Sequence, residues 1–182
     1  VINLIKDDID VYFYARKKRI IDEISKIGGK FIPNPGDISK FTKIILTNLP
    51  NTKDVENIVI GKNGIINNLQ TGSIVIDMST ISPEGTRYIN DKLRVRKSYL
   101  VDAPVSGGEA GAKSGKLSIM VGGDKSAYLK IKFILSILGS KITYLGKSGS
   151  GQVCKACNQI LVAQTIQSIS EIITIAKKSD IN

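Results

Sequence analysis

Apolar positions along the chain follow two different periods. Short β-branched or aromatic runs read as strands at residues 11–15 (VYFYA), 30–32, 43–49 (KIILTNL), 73–78 (SIVIDM), 99–105 (YLVDAPV), 116–121 (KLSIMV) and 141–145 (KITYL). Between them lie stretches with apolar residues three or four apart. Residues 17–27 carry Ile20, Ile21, Ile24 and Ile27, a helical stripe that Gly28 and Gly29 stop. Residues 52–60 and 125–138 read as helices, the latter ended by Gly139. Ser82 caps a further helix, with Pro83 at the first helical position where no N–H is needed, running to about Lys97. Residues 107–115 form a glycine-rich loop. A second glycine-rich turn, 146–151, opens one long amphipathic helix to about Lys178 whose apolar residues include Ile160, Leu161, Ile166, Ile169, Ile172, Ile173 and Ala176.

Strands alternating with helical crossovers predict an α/β fold with a doubly wound, Rossmann-like, mostly parallel sheet. Such sheets bind ligands at the carboxyl ends of their strands, so the candidate loops follow Ala15, Leu49, Met78 and Val105. The division expected is residues 1–148 as a nucleotide-binding domain and 149–182 as a long interdomain helix opening a second, helical domain.

Composition narrows the chemistry. At 182 residues, 42% hydrophobic and 23% charged, the chain suits a globular domain. The absence of histidine removes every His-based triad and imidazole metal site, leaving proton transfer to Lys, Asp, Glu, Tyr or Cys. No metal site is expected. A net charge of +10 suits an acidic or phosphorylated partner. Yet the cations are 21 lysines against 5 arginines, in a chain rich in Ile and Asn, as AT-rich codon usage produces. With no aromatic–basic module, a nucleic-acid partner is not expected. No apolar run is expected to reach the roughly 20 residues of a membrane span. Two cysteines exclude a disulfide scaffold. The chain begins with Val1 rather than Met, so no targeting signal is legible.

Several motifs compete for attention. Gly146-Lys147-Ser148 mimics the end of a P-loop, but the required first glycine falls on Lys141 within a strand. Cys154 and Cys157 form a CxxC at a helix start, read as small residues packing against the sheet domain in preference to a redox pair. Arg16 and Lys17 end the first strand, where a basic residue accepts the 2′-phosphate of NADP and an acidic one selects NAD. After residues 102–105, Ser106-Gly107-Gly108 lets backbone N–H groups approach a small anion and adds a hydroxyl. In residues 149–159, Lys155 and Asn158 are three apart on one helix face near its N-terminus. A lysine there is opposed by the helix dipole and, partly buried, suits a role as proton donor; an ordinary exposed lysine is the competing reading.

In order along the chain, residues 3–6, Leu49-Pro50, Asp77-Met78-Ser79-Thr80-Ile81-Ser82-Pro83, residues 102–108 and residues 149–159 resemble the β-hydroxyacid dehydrogenase family, of 3-hydroxyisobutyrate dehydrogenase and tartronate semialdehyde reductase type. The resemblance implies that Lys155 is the catalytic lysine and that Ser106, Gly107, Gly108 and Asn158 hold a small carboxylate substrate. It implies that Leu49, Pro50 and Thr80 contact the cofactor and that Arg16 is the NADP-preferring arginine, NAD remaining possible. The activity implied is hydride transfer between NADPH and a small β-hydroxyacid or semialdehyde (2-hydroxy-3-oxopropionate or 3-hydroxyisobutyrate type). A homo-oligomer in the cytoplasm or an organellar matrix is implied with it. The family's opening strand with its G-x-G-x-x-G turn has no counterpart here, and Asp54 stands where an uncharged polar residue is usual. The chain therefore reads as the central portion of such an enzyme, the rival being a non-catalytic remnant with at most a binding role.

Overall fold

The computed structural model describes residues 1–181. Strands β1 (Tyr12–Phe13), β2 (Lys30–Phe31), β3 (Ile44–Thr47), β4 (Ile74–Asp77), β5 (Tyr99–Asp102), β6 (Val105–Ser106), β7 (Leu117–Gly122) and β8 (Gly139–Gly146) alternate with helices α1 (Ile2–Lys6), α2 (Lys18–Lys26), α3 (Thr52–Ile60), α4 (Pro83–Val95), α5 (Gly108–Ser114), α6 (Lys125–Leu138) and α7 (Ser150–Lys178). Short 3₁₀ helices span Pro35–Lys40 and Ile65–Asn68.

The strands form a parallel pair, β1–β2, and a six-stranded sheet in the order β3-β4-β5-β7-β6, with β8 also on β7. The β3–β4, β4–β5 and β7–β8 pairings are parallel, whereas β7 runs antiparallel to β5 and β6. Among the described residues β1 and β3 are not paired with each other, so each keeps an open edge.

Alternation along the central strands fills two cores, because successive side chains point to opposite faces. Ile74, Ile76 and Val101 pack with Ile131 and Leu135 of α6 on one face. Val75 and Leu100 pack with Val55 and Val59 of α3 and Ile89 and Leu93 of α4 on the other. Helix starts are fixed by side-chain caps. Asn51 accepts from the Asp54 N–H, Ser82 from the Gly85 N–H, and Asp124 from the Ser126 and Ala127 N–H groups.

Four expectations are corrected. The run 99–105 is not one strand: it breaks at Ala103-Pro104, and β6 folds onto β7 with Val105 opposite Ile119. The loop 107–115 contains helix α5, entered through Gly107 at φ 130° and closed by Gly115 in the left-handed region. Cys154 is half-buried but Cys157 is exposed, so the pair does not pack together against the sheet.

The fourth concerns length. α7, with 29 residues and a mean hydropathy of 1.2 in its most apolar window, reaches what a membrane crossing takes by length and composition. Its pattern is that of an amphipathic helix, however. Leu161, Ile166, Ile169, Ile172 and Ile173 are exposed on one side, and Gln167, Glu171, Thr174 and Lys178 lie on the opposite side at 100° per residue, with the exposed Ile160 among them. Its first two turns are embedded in the sheet domain, where Gly151, Gln152 and Lys155 are buried.

Candidate active site

The loops at the carboxyl ends of β3, β4 and β5 and the start of α7 are joined by one buried hydrogen-bond network. Asp102, the last residue of β5, lies fully buried beneath α7. Its Oδ1 accepts from the Gly149 N–H at 2.9 Å and its Oδ2 from the Gln152 N–H at 3.1 Å. The carboxylate thus caps a 29-residue helix from a neighbouring strand, satisfying donors that no preceding turn can reach. The approach is possible because Gly122 and Gly151 lack side chains. A Cβ on Gly122 would stand 2.6 Å from Asp102 Oδ2, and one on Gly151 would collide with the Met120 carbonyl oxygen.

Gln152 extends the connection. Its Nε2 donates to the Ser79 carbonyl oxygen at 2.8 Å, and its Oε1 accepts from the Ile81 N–H at 3.2 Å. Ser79 Oγ donates to Asp77 Oδ1 at 2.6 Å and accepts from the Leu49 N–H at 2.8 Å. Thr47 Oγ1 donates to the same Asp77 oxygen, at 2.9 Å. Asp77 Oδ2 is buried without a partner among the described residues.

Both aspartates are held above the usual carboxylate range. For Asp77, burial pushes the value up, the hydrogen bonds from Ser79 and Thr47 pull it down, and the nearby Asp102 adds to the rise. For Asp102, burial again dominates, opposed by the backbone N–H groups of Gly149 and Gln152.

Of the expected site residues, Leu49 is bonded into this network and Thr80 lies between two of its members. Lys155 lies three residues beyond Gln152 and is buried, with no ion pair or hydrogen bond to its amine among the described residues. Asn158 is half-buried one turn further on. Ser106 is half-buried at the end of β6, opposite Ser118 of β7, the strand on which α7 also packs. Gly107 and Gly108 are exposed at the turn into α5, with φ of 130° and 59°. Thr80 is exposed between Ser79 and Ile81, the two residues that Gln152 holds. Leu49 is half-buried and Pro50 exposed after β3, while Arg16 is exposed after β1. Arg16 follows a strand of the separate β1–β2 pair, not one of the six-stranded sheet whose loops bond to α7.

Sequence reasoning singled out neither Gln152 nor Ser79. Their one legible signal is polarity at positions that the surrounding pattern makes internal: Ser79 two residues beyond the buried strand end Asp77, and Gln152 directly after a glycine at a helix start.

Parallel strands whose carboxyl-end loops converge on a helix N-terminus are the arrangement of dinucleotide-binding domains. Residues 1–146 match the family described as the NAD binding domain of 6-phosphogluconate dehydrogenase. The chain belongs to that family, and its relatives bear out the β-hydroxyacid dehydrogenase resemblance. It is 38% identical over 160 residues to 2-hydroxy-3-oxopropionate reductase of Escherichia coli (strain K12), covering 88% of this chain and 55% of that protein. It is 37% identical over 177 residues to an uncharacterized oxidoreductase, YkwC, of Bacillus subtilis (strain 168), covering 97% of this chain and 62% of the relative. The solved structure of Mycobacterium tuberculosis 3-hydroxyisobutyrate dehydrogenase with L-serine superposes with a TM-score of 0.92 at 26% identity, over 99% of this chain and 61% of that one. The chain thus spans between about half and two thirds of the length of these relatives.

Proposed function

We propose that the whole protein is an NAD(P)-dependent oxidoreductase of small β-hydroxyacids or short semialdehydes, and that these residues build its nucleotide-binding domain (1–148) and interdomain helix (149–182). When bound, the nicotinamide cofactor supplies or takes up a hydride. Lys155 donates a proton to the substrate carbonyl oxygen during reduction and receives one from the hydroxyl during oxidation. Ser106, the Gly107 and Gly108 backbone and Asn158 hold the substrate carboxylate and oxygen. Leu49, Pro50 and Thr80 line the cofactor, and Arg16 faces the 2′-phosphate, giving a preference for NADPH over NADH. The residues present suit the two ends of a dinucleotide; no G-x-G-x-x-G turn occurs in the 182 residues to hold its pyrophosphate.

The observation that carries this reading is Lys155: a side chain only 9% exposed whose amine bonds to no protein group among the described residues, one helix turn beyond the Gln152 that is bonded to Ser79 and Ile81 on either side of Thr80. With its stem buried and its ammonium bonded to no protein group, Lys155 keeps its three donors free for a ligand. The decisive measurement is NADPH-dependent reduction of a short semialdehyde by the wild-type protein and Lys155→Ala. Loss of turnover with cofactor binding retained supports the assignment, and near-normal turnover refutes it.

The one alternative is a non-catalytic binding role. NADPH titration without detectable turnover of any small hydroxyacid or semialdehyde would support it. The exposed apolar side of α7 supports a protein cover, supplied by the rest of a helical second domain or by a second copy in a homo-oligomer.

A further inference from the structure

Gln152 is 1% exposed, yet it carries a full amide into the interior. Burying an amide costs free energy unless its bonds are made, and an apolar residue of this size would fill the volume at no such risk. Here the amide makes two bonds, both to backbone atoms of the turn after β4, 71 and 73 residues away in sequence. Its own N–H makes a third, to Asp102 at the end of β5. The side chain therefore has partners only on the segment that flanks Thr80, while its backbone belongs to the helix turn that carries Lys155.

We propose that Gln152 is a positioning residue: its side-chain amide clamps the Ser79–Ile81 turn to the first turn of α7, fixing Thr80 at a set distance and orientation from Lys155. The inference rests on the reading of Lys155 and Thr80 given above. Hydrogen bonding at both Ser79 and Ile81 brackets Thr80 from either side, so the turn can neither slide along the helix nor rotate about one bond. Leu49 joins the same assembly through Ser79 Oγ, which extends the clamp to the loop after β3. The loops assigned to the cofactor and the helix assigned to the proton donor thereby move as one body. In hydride transfer this matters because donor and acceptor atoms must meet in a narrow geometry, and misplacement by about 1 Å can cost on the order of 10²-fold in rate.

The test has two arms. Native-state hydrogen exchange on the unaltered chain, at increasing denaturant, reads the Ile81, Gly149 and Gln152 amides. Opening of all three with one free energy and one denaturant slope is the expected result; Ile81 opening independently of Gln152 overturns the clamp. This arm needs no substitution, so a variant that fails to fold cannot obscure it. The second arm compares Gln152→Met, which keeps the side-chain length and loses both bonds, with wild type in turnover by the whole protein. A fall in kcat on the order of 10²-fold, with KM for cofactor and substrate unchanged, is expected. A variant that is merely less stable, with normal kcat per folded molecule, shows a structural role and overturns the proposal. Lys155→Ala runs alongside. If it turns over normally the proposed function falls, while the exchange arm still decides whether the two segments are clamped.

Discussion

Two aspartates at the same register, Asp77 of β4 opposite Asp102 of β5, should respond in opposite ways to the same substitution. Asp102 uses both oxygens, one on the Gly149 N–H and one on the Gln152 N–H. Asparagine there offers one acceptor and must turn its NH₂ toward a backbone donor, so one N–H is left facing another. An unmade buried backbone bond costs about 1–3 kcal/mol, and loss of a helix cap falls in the same range. We take about 2 kcal/mol, which for a chain of this size lowers Tm by roughly 4–8 °C. Asp77 instead collects all its donors on Oδ1, from the Ser79 N–H, Ser79 Oγ and Thr47 Oγ1. Asparagine can keep those three bonds and place its NH₂ at the unpartnered Oδ2 position. Asp77→Asn should stay within about 1 kcal/mol of wild type at pH 7.

The pH dependence gives the sign. Burial raises both carboxyls above their unfolded value, near 3.9. Stability tied to such a group is fully present below the unfolded value and is lost as pH rises through the raised folded one. The stability tied to these two carboxyls therefore falls upward from about pH 4, and Asp77→Asn lacks its share of that loss. Thermal unfolding from pH 4 to pH 8 should show the Tm of Asp77→Asn gaining on wild type with rising pH. Equal destabilisation by the two variants, or an Asp77→Asn deficit that grows with pH, would refute the assignment of bonds.

Other outcomes follow from the same geometry. Lys155→Ala should lower kcat by about 10²–10⁴-fold with cofactor affinity kept, and Lys155→Arg should not rescue it, since guanidinium does not exchange its proton near neutral pH; Lys147, in the exposed turn before α7, should tolerate alanine in the same assay. Arg16→Asp should invert the NADPH:NADH ratio of kcat/KM in the whole protein, and an unchanged ratio removes Arg16 from the 2′-phosphate site. Gly151→Ala should force α7 away from the Met120 carbonyl and Asp102, seen as loss of helix protection at 149–155 in hydrogen exchange. The 182-residue chain alone should associate through the apolar side of α7; a monodisperse monomer in analytical ultracentrifugation would contradict this.

Most of the framework was legible because burial on both faces imposes itself on composition. Residues 74–77 are apolar up to Asp77, so they read as an internal strand, and the Ser82-Pro83 start of α4 and the Asp124 start of α6 follow local capping chemistry. What local pattern misled was decided by tertiary pairing. The run 99–105 has strand character throughout, but Pro104 has no N–H, and β6 takes its partners from β7 on the other side of the break. The glycines of 107–115 read as a loop, yet only Gly107, Gly108 and Gly115 adopt positive φ, leaving 109–114 free to close a helix. Lys155 and Asn158 could be picked out by their spacing, because i and i+3 on a helix share a face wherever the helix lies. The atoms that hold Lys155 in place could not. Asp102 and Gln152 are 50 residues apart, and Gln152 and Ser79 are 73 apart. No periodicity within one element encodes which backbone carbonyl a buried amide will meet across three strands. A glutamine in the first turn of an amphipathic helix has the sequence signature of a solvated residue; only the packing of α7 over β5 and β7, through Gly122 and Gly151, turns it inward.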